Sequence, residues 1–170
     1  MNNQQQPQKI NILGWTFRVQ YSPEPSSNQR VMLLLHGHLG NENAMWILTK
    51  PIPNSYTLIA PRAPVKTGKD QYSWHEISPQ WPGLEKYTDL TNKLLTRVDG
   101  WLREQNLNFQ HFDVMGFSQG ALMAYALAIL HPHRISKVAA LAGFIPQSWV
   151  EKLDKRSLLG KSFFVAHGKQ

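Results

Sequence analysis

Short apolar runs alternate along this chain with longer stretches of helical spacing, and the alternation predicts an α/β fold on a mostly parallel sheet flanked by helices. Val31-Met32-Leu33-Leu34-Leu35 is a continuous apolar run of strand length, the pattern of a strand buried on both faces, and it ends at His36-Gly37. Tyr56 to Ala60, Phe112 to Met115, Val138 to Leu141 and Ser162 to Ala166 read as further strands. Ile10 to Val19 reads as an early strand or hairpin arm, irregular at Gly14. Leu84, Tyr87, Leu90, Leu94, Leu95, Val98, Trp101 and Leu102 fall at helical spacing with one buried stripe. Ala121 to Leu130 is long, apolar and rich in Ala and Leu, as a buried helix would be, and Pro132 closes it. Asn41 to Thr49 predicts a short helix with Asn41 as its N-cap, and Gln147 to Leu153 another.

Between these elements the chain is polar or broken by proline. Tyr21 to Arg30 is a loop. Pro61 to Pro82 is a long loop holding Tyr72, Trp74 and Trp81; a loop of that length in a compact domain is usually functional or disordered, and the aromatics favour function. Residues 1–9 are expected to be a disordered tail and residues 10–170 one domain, without internal repeats. The tail has no basic and apolar segments of a signal peptide, and no stretch approaches membrane-spanning length. Roughly twenty residues separate Ala142 from Phe163, room for one helix but not for a lid domain, so the end of the sheet is expected to be open to solvent.

Composition narrows the chemistry. The 170 residues contain no cysteine, which excludes disulfides and thiolate metal sites and fits a reducing, cytoplasmic setting. The net charge of +7 invites a nucleic-acid reading, but the Lys and Arg residues are scattered. Their nearest approach to a cluster, Lys152, Lys155, Arg156 and Lys161, reads as a solvated face.

The chemistry concentrates at Gly116-Phe117-Ser118-Gln119-Gly120, between the strand at 112–115 and the helix that opens at Ala121. Strand, G-x-S-x-G, helix is the setting of a nucleophile elbow, in which the serine oxygen is held out at the end of a sheet beside a helix N-terminus. The glycines admit a turn too tight for a neighbouring Cβ. Ser118 is therefore the candidate nucleophile, in a strained backbone conformation. His36-Gly37-His38-Leu39-Gly40-Asn41 follows a buried strand upstream. Alone it reads as a glycine-rich turn; beside an elbow it reads as the loop that supplies a second oxyanion donor.

These motifs resemble the phospholipase/carboxylesterase family of α/β-hydrolases, which includes the acyl-protein thioesterases. The matching pieces are Leu34-Leu35-His36-Gly37, Gly40-Asn41-Glu42-Asn43 with Trp46 after it, Ala60-Pro61-Arg62-Ala63-Pro64, Tyr72-Ser73-Trp74, the elbow, Leu141-Ala142-Gly143-Phe144-Ile145-Pro146 and Val165-Ala166-His167-Gly168. They span nearly the whole chain in order. The resemblance implies hydrolysis of small or lipid-like acyl esters or thioesters through an acyl-enzyme on Ser118, with no metal or cofactor. It makes the backbone N–H groups of His38 and Gln119 the oxyanion donors, converging on a spot about 3 Å from each, and leaves the Gln119 side chain incidental. Leu39, Trp46, Trp74 and Phe144 are the candidate pocket residues.

The departure is at the end of the sequence. In such enzymes an aspartate and then a histidine follow the strand that ends in His-Gly, and here Lys169 and Gln170 follow. The expectation is an incomplete α/β-hydrolase domain whose last strand and helix, with the acid and base, are missing. His131 and His133 lie past the far end of the elbow helix, about 18 Å from Ser118 at about 1.5 Å rise per residue, too far to serve as base. His36, His38 and His167 share the sheet end with Ser118 but nothing in the sequence orients them. His75 falls in the long loop and is expected to be mobile, and Asp113 is expected to serve structure. The alternative is a non-catalytic binding protein on the same fold, whose mark would be decay of the elbow or the glycine-rich loop; neither has decayed.

Overall fold

A computed structural model describes residues 6–151 and 153–168. Nine strands are described: β1 (Gln8–Ile12), β2 (Trp15–Gln20), β3 (Arg30–Leu35), β4 (Tyr56–Pro61), β5 (Val65–Gly68), β6 (Gln71–Ser73), β7 (Phe112–Phe117), β8 (Ile135–Leu141) and β9 (Ser162–Ala166). Three α-helices accompany them: α1 (Thr88–Glu104), α2 (Gln119–Leu130) and the single turn α3 (Gln147–Val150). Seven strands form one sheet in the order β1-β2-β4-β3-β7-β8-β9. The first three pair antiparallel and the remainder parallel. This is the predicted α/β architecture, and no unit large enough to be a lid interrupts β8 and β9 among the described residues.

The apolar run at 31–35 becomes the central strand β3, and Val31, Leu33, Leu34 and Leu35 are fully buried. Its alternate side chains feed two cores. Val31, Leu33 and Leu35 join the large one with Phe17, Val19 and Ile59 from the sheet and Leu94, Val98, Leu122 and Ala126 from α1 and α2. Leu34 joins a small one with Met45, Leu58 and Ala60. Helix α2 is buried through Ala128 because it lies between the sheet and α1, so its sequence has no polar face to show.

Four local differences from the sequence reading have local causes. The early strand is a hairpin: Leu13 and Gly14 both take positive φ (47° and 81°), the two-residue turn that matches strand twist. That pairing draws Gln8 and Lys9 into β1, inside the expected tail; residues 1–5 lie outside the described residues. Ala44–Leu48 is a 3-10 segment, and Asn41 caps an earlier turn by accepting from the Asn43 N–H (2.9 Å). The long loop contains the β5–β6 hairpin.

Asp113 has the structural role expected of it. Buried at the end of the sheet opposite Ser118, its Oδ2 accepts from Arg30 (2.9 Å) and from the Tyr56 hydroxyl (2.5 Å). Burial, and then the carboxylate of Asp113, push the Tyr56 phenol up to about 12. No described helix is long and apolar enough to cross a membrane. Lys152 lies outside the described residues, and Lys161 is not simply solvated: its ammonium donates to the carbonyls of Pro132 and Ile135, tying the α2–β8 turn to the start of β9.

Tyr56 is expected to ionise near pH 12 rather than near 10. In Asp113→Asn the charge contribution disappears and the phenol titrates lower, with burial still holding it above the free value. Absorbance titration against a Tyr56→Phe control checks this; an unchanged titration in Asp113→Asn overturns the assignment.

Candidate active site

Ser118 sits between the last residue of β7 and the first of α2, at φ 52° and ψ −115°. A non-glycine residue rarely adopts that conformation, and the surroundings enforce it. Its N–H donates to Leu141 O (2.8 Å), and its carbonyl accepts from Ala121 N–H (2.9 Å). The turn is tight because two glycines remove Cβ atoms. One at Gly116 would overlap the backbone of Gly120, and one at Gly120 would overlap the carbonyl oxygen of Leu35 on β3. The helix start is thus pressed against two strands at once. Leu39 and Ala142 also take positive φ (61° and 51°). All three strained residues line one cavity at the carboxyl ends of the parallel strands.

That cavity, about 550 Å³, is walled mainly by apolar groups: Leu39, Met45, Ile47, Phe117 and Leu141 surround Ser118. A smaller one of about 140 Å³ adjoins Ser118 from the other side, between His38, Ile77, Trp81, Leu122 and Phe144. Trp81 and Phe144 meet edge to face across it, their centroids 4.9 Å apart. Of the four candidate pocket residues, Leu39 and Phe144 line these cavities, one in each. Trp46 and Trp74 do not. Trp46 packs on the small core and donates its indole N–H to Glu42 O (2.8 Å). Trp74 is 2 % exposed and lies beneath the site, its indole N–H on His36 O (2.7 Å). Both belong to aromatic-rich segments near the site, and sequence cannot separate a wall from the support behind it. Trp81, one of the long-loop aromatics singled out in the sequence, lines the smaller cavity; Ile47, Ile77 and Phe117 are lining residues the sequence reading missed, and their only signal is apolarity at positions that end up exposed.

The histidines are largely committed. His36 is fully buried; its Nε2 accepts from the Ala63 N–H (3.0 Å), so Nδ1 carries the proton and donates to Gly37 O (2.7 Å). Burial holds its pKa below the ordinary value, which keeps the ring neutral. His38 places Nδ1 2.5 Å from the Ser73 hydroxyl. His131 bonds Thr91 at the other end of α2. His75 packs against Trp81 and Tyr87, and its Nδ1 contacts its neighbour's carbonyl, so it is held rather than loose. His167 lines the large cavity with Nδ1 on Gly168 O. Among the described residues no imidazole hydrogen-bonds Ser118, and no cluster of His, Cys, Asp and Glu could hold a metal.

Behind the glycine-rich loop, Glu42 is 1 % exposed and accepts from Arg62 at both oxygens (2.7 Å each), with Lys9 3.1 Å away. Burial would raise its carboxyl, but the Arg62 hydrogen bonds, its own backbone N–H, Lys9 and the Arg62 charge together bring it down to about 2. This pair anchors the loop that leaves β3 to the end of β4.

The family model for the alpha/beta hydrolase fold matches residues 30–168. The chain is 25 % identical over 153 residues to acyl-protein thioesterase 1 of Eremothecium gossypii, a match that covers 80 % of this chain and 63 % of the relative. Among solved structures it superposes on the Bacillus cereus carboxylesterase with a TM-score of 0.77 at 21 % identity, covering 92 % of this chain and 72 % of that one. For a carboxylesterase from Mesorhizobium loti the TM-score is 0.71 at 22 % identity, covering 94 % and 74 %. The chain thus spans just under two thirds of the length of its sequence relative.

Glu42→Gln is expected to cost about 3 kcal/mol at pH 7, as breaking a buried pair does. A carboxyl lowered in the folded state stabilises above its unfolded pKa of about 4.3, and that contribution fades as pH falls towards 2. The gap between wild type and variant should therefore narrow from pH 5 to pH 2. Urea unfolding across that range tests it, and a constant gap contradicts the pairing.

Proposed function

We infer the function from one premise, that the chain belongs to the alpha/beta hydrolase fold family. The reading is a serine esterase or thioesterase with Ser118 as nucleophile. The observation that carries it is the strained turn: the only backbone between β7 and α2 is Ser118 itself, and both cavities open onto it. Such strain persists only where surrounding structure enforces it, and it gathers at active sites. The superposed structures are carboxylesterases and the sequence relative is an acyl-protein thioesterase, which supports acyl-ester or thioester chemistry.

In this reading Ser118 Oγ attacks the acyl carbonyl, and the oxyanion accepts from the backbone N–H groups of His38 and Gln119. The start of α2 adds its positive end to the field. The leaving alkoxide or thiolate takes a proton, and water then releases the acyl group. The large apolar cavity suits an acyl chain, and the small aromatic-rimmed one the other side of the ester. No described imidazole hydrogen-bonds Ser118, and in this reading the base and its orienting acid are supplied from outside the described residues.

The test is aryl-acetate hydrolysis by residues 1–170, by the same chain extended with a downstream acid and histidine, and by Ser118→Ala in each. The extended protein should turn over at enzymatic rates and lose them with Ser118→Ala. The short chain should stay at or below the residual level of about 10³–10⁴-fold over water that an oxyanion hole alone supports. Ordinary rates in the short chain, abolished by Ser118→Ala, would show a local histidine acting as base.

A further inference from the structure

The segment Asp70–His75 touches both halves of the proposed oxyanion hole. Towards the glycine-rich loop it makes four contacts. The Asp70 carbonyl accepts from Asn41 Nδ2 (3.0 Å), and the Tyr72 N–H donates to Gly40 O (2.9 Å). The Ser73 hydroxyl meets His38 Nδ1 (2.5 Å), and the Trp74 indole N–H donates to His36 O (2.7 Å). Towards the elbow it makes two more, both on one side chain: the Trp74 N–H donates to Gln119 Oε1 (2.8 Å), and Gln119 Nε2 donates to His75 O (3.1 Å). Ser73, Trp74 and Gln119 are 0 %, 2 % and 4 % exposed, so water does not replace these bonds.

We propose that Ser73-Trp74-His75 is a strap that sets the spacing and aim of the two oxyanion amides, with the Gln119 side chain and Ser73 as positioning residues. The proposal rests on the reading of His38 and Gln119 as oxyanion donors. The loop 37–41 has two glycines and a residue at φ 61°, and its own sequence does not fix its path; its amides need an external reference. The elbow amide belongs to a helix pressed on the sheet and cannot follow the loop. A segment bonded to both makes the two donors one rigid unit, as a site that must hold its geometry within about 0.5 Å requires.

The chemistry of position 119 follows. A backbone N–H can only donate and a backbone carbonyl can only accept, so the side chain between them must supply one acceptor and one donor. Glutamine does; ionised glutamate supplies the acceptor alone, and methionine neither hydrogen bond in full. The Ser73 hydroxyl, by contrast, can donate to or accept from His38 Nδ1, so that contact survives either protonation state of the ring.

The experiment uses residues 1–170 and a fluorophosphonate, which forms a bond from Ser118 Oγ to phosphorus with loss of fluoride and seats its phosphoryl oxygen in the oxyanion hole. Labelling rates are read by intact mass, and the backbone amides of residues 38 and 119 by 15N–1H spectra before and after labelling. Gln119→Met is expected to slow labelling by about tenfold or more and to displace the amide signals of both residues before labelling. Gln119→Glu should fall between it and wild type. Ser73→Ala should slow labelling less, and displace the His38 amide while leaving that of Gln119; Ser73→Thr should recover it. Folded variants with wild-type rates and wild-type amide signals overturn the strap. Should Gln119→Met fail to fold, Ser73→Ala carries the same test by removing one hydroxyl. A wild type that labels away from Ser118 defeats the nucleophile reading instead, whereas one that does not label at all shows only that Ser118 is not activated without its base. The amide displacements in unlabelled Ser73→Ala and Gln119→Met then decide the strap alone.

Discussion

The site depends on one steric constraint: the start of α2 must lie against β7 and β3 at a distance that excludes two Cβ atoms. Gly116 and Gly120 meet that constraint, one facing the helix backbone and the other the Leu35 carbonyl. Once the helix is seated there, a single residue remains to join strand to helix, and it has to take φ 52°. The energy that holds it comes from elsewhere, from a helix buried along most of its length and a central strand buried on both faces. The core therefore sets the conformation of Ser118, and no bond of its side chain is needed to do so.

Strain recurs around this point. Leu39, Ser118 and Ala142 stand on three different connections, yet all take positive φ and all line the cavity at the end of the parallel strands. In an open parallel sheet that end is where loops diverge and ligands bind. The opposite end is held by polar contacts of a different kind, with the buried Asp113 carboxylate between Arg30 and Tyr56. The two ends of β7 thus have separate tasks, which explains why a strand of six residues carries both a buried acid and the approach to the elbow.

The glycine-rich loop is held from two directions. Glu42 and Arg62 fix its far side to the end of β4, and the segment 70–75 grips its near side. Both Arg62 and that segment belong to the 61–82 connection, so the long loop reaches the glycine-rich loop through the Arg62, Ser73 and Trp74 side chains and through its backbone. Only Ile77 and Trp81 of that loop face a cavity at Ser118.

The sequence by itself determined the sheet, the tight turn at Ser118 and, among the described residues, a β8–β9 connection without a lid domain. Each is written in local terms: a run of apolar residues, a helical stripe, two glycines around a serine, a connection too short for a domain. It also located Leu39 and Phe144 near Ser118, because they flank motifs whose place in the fold is fixed by strand ends. Only the tertiary structure decided which aromatics form walls and which form supports. Trp74 and Trp81 stand in the same long loop, but one is buried with its indole N–H on His36 O and the other rims a cavity. It likewise decided that the side chain of Gln119 bridges two backbone groups, 44 and 45 residues away. Backbone donors and acceptors are the same at every position of a sequence, so a contact made through them leaves no mark until the chain is folded.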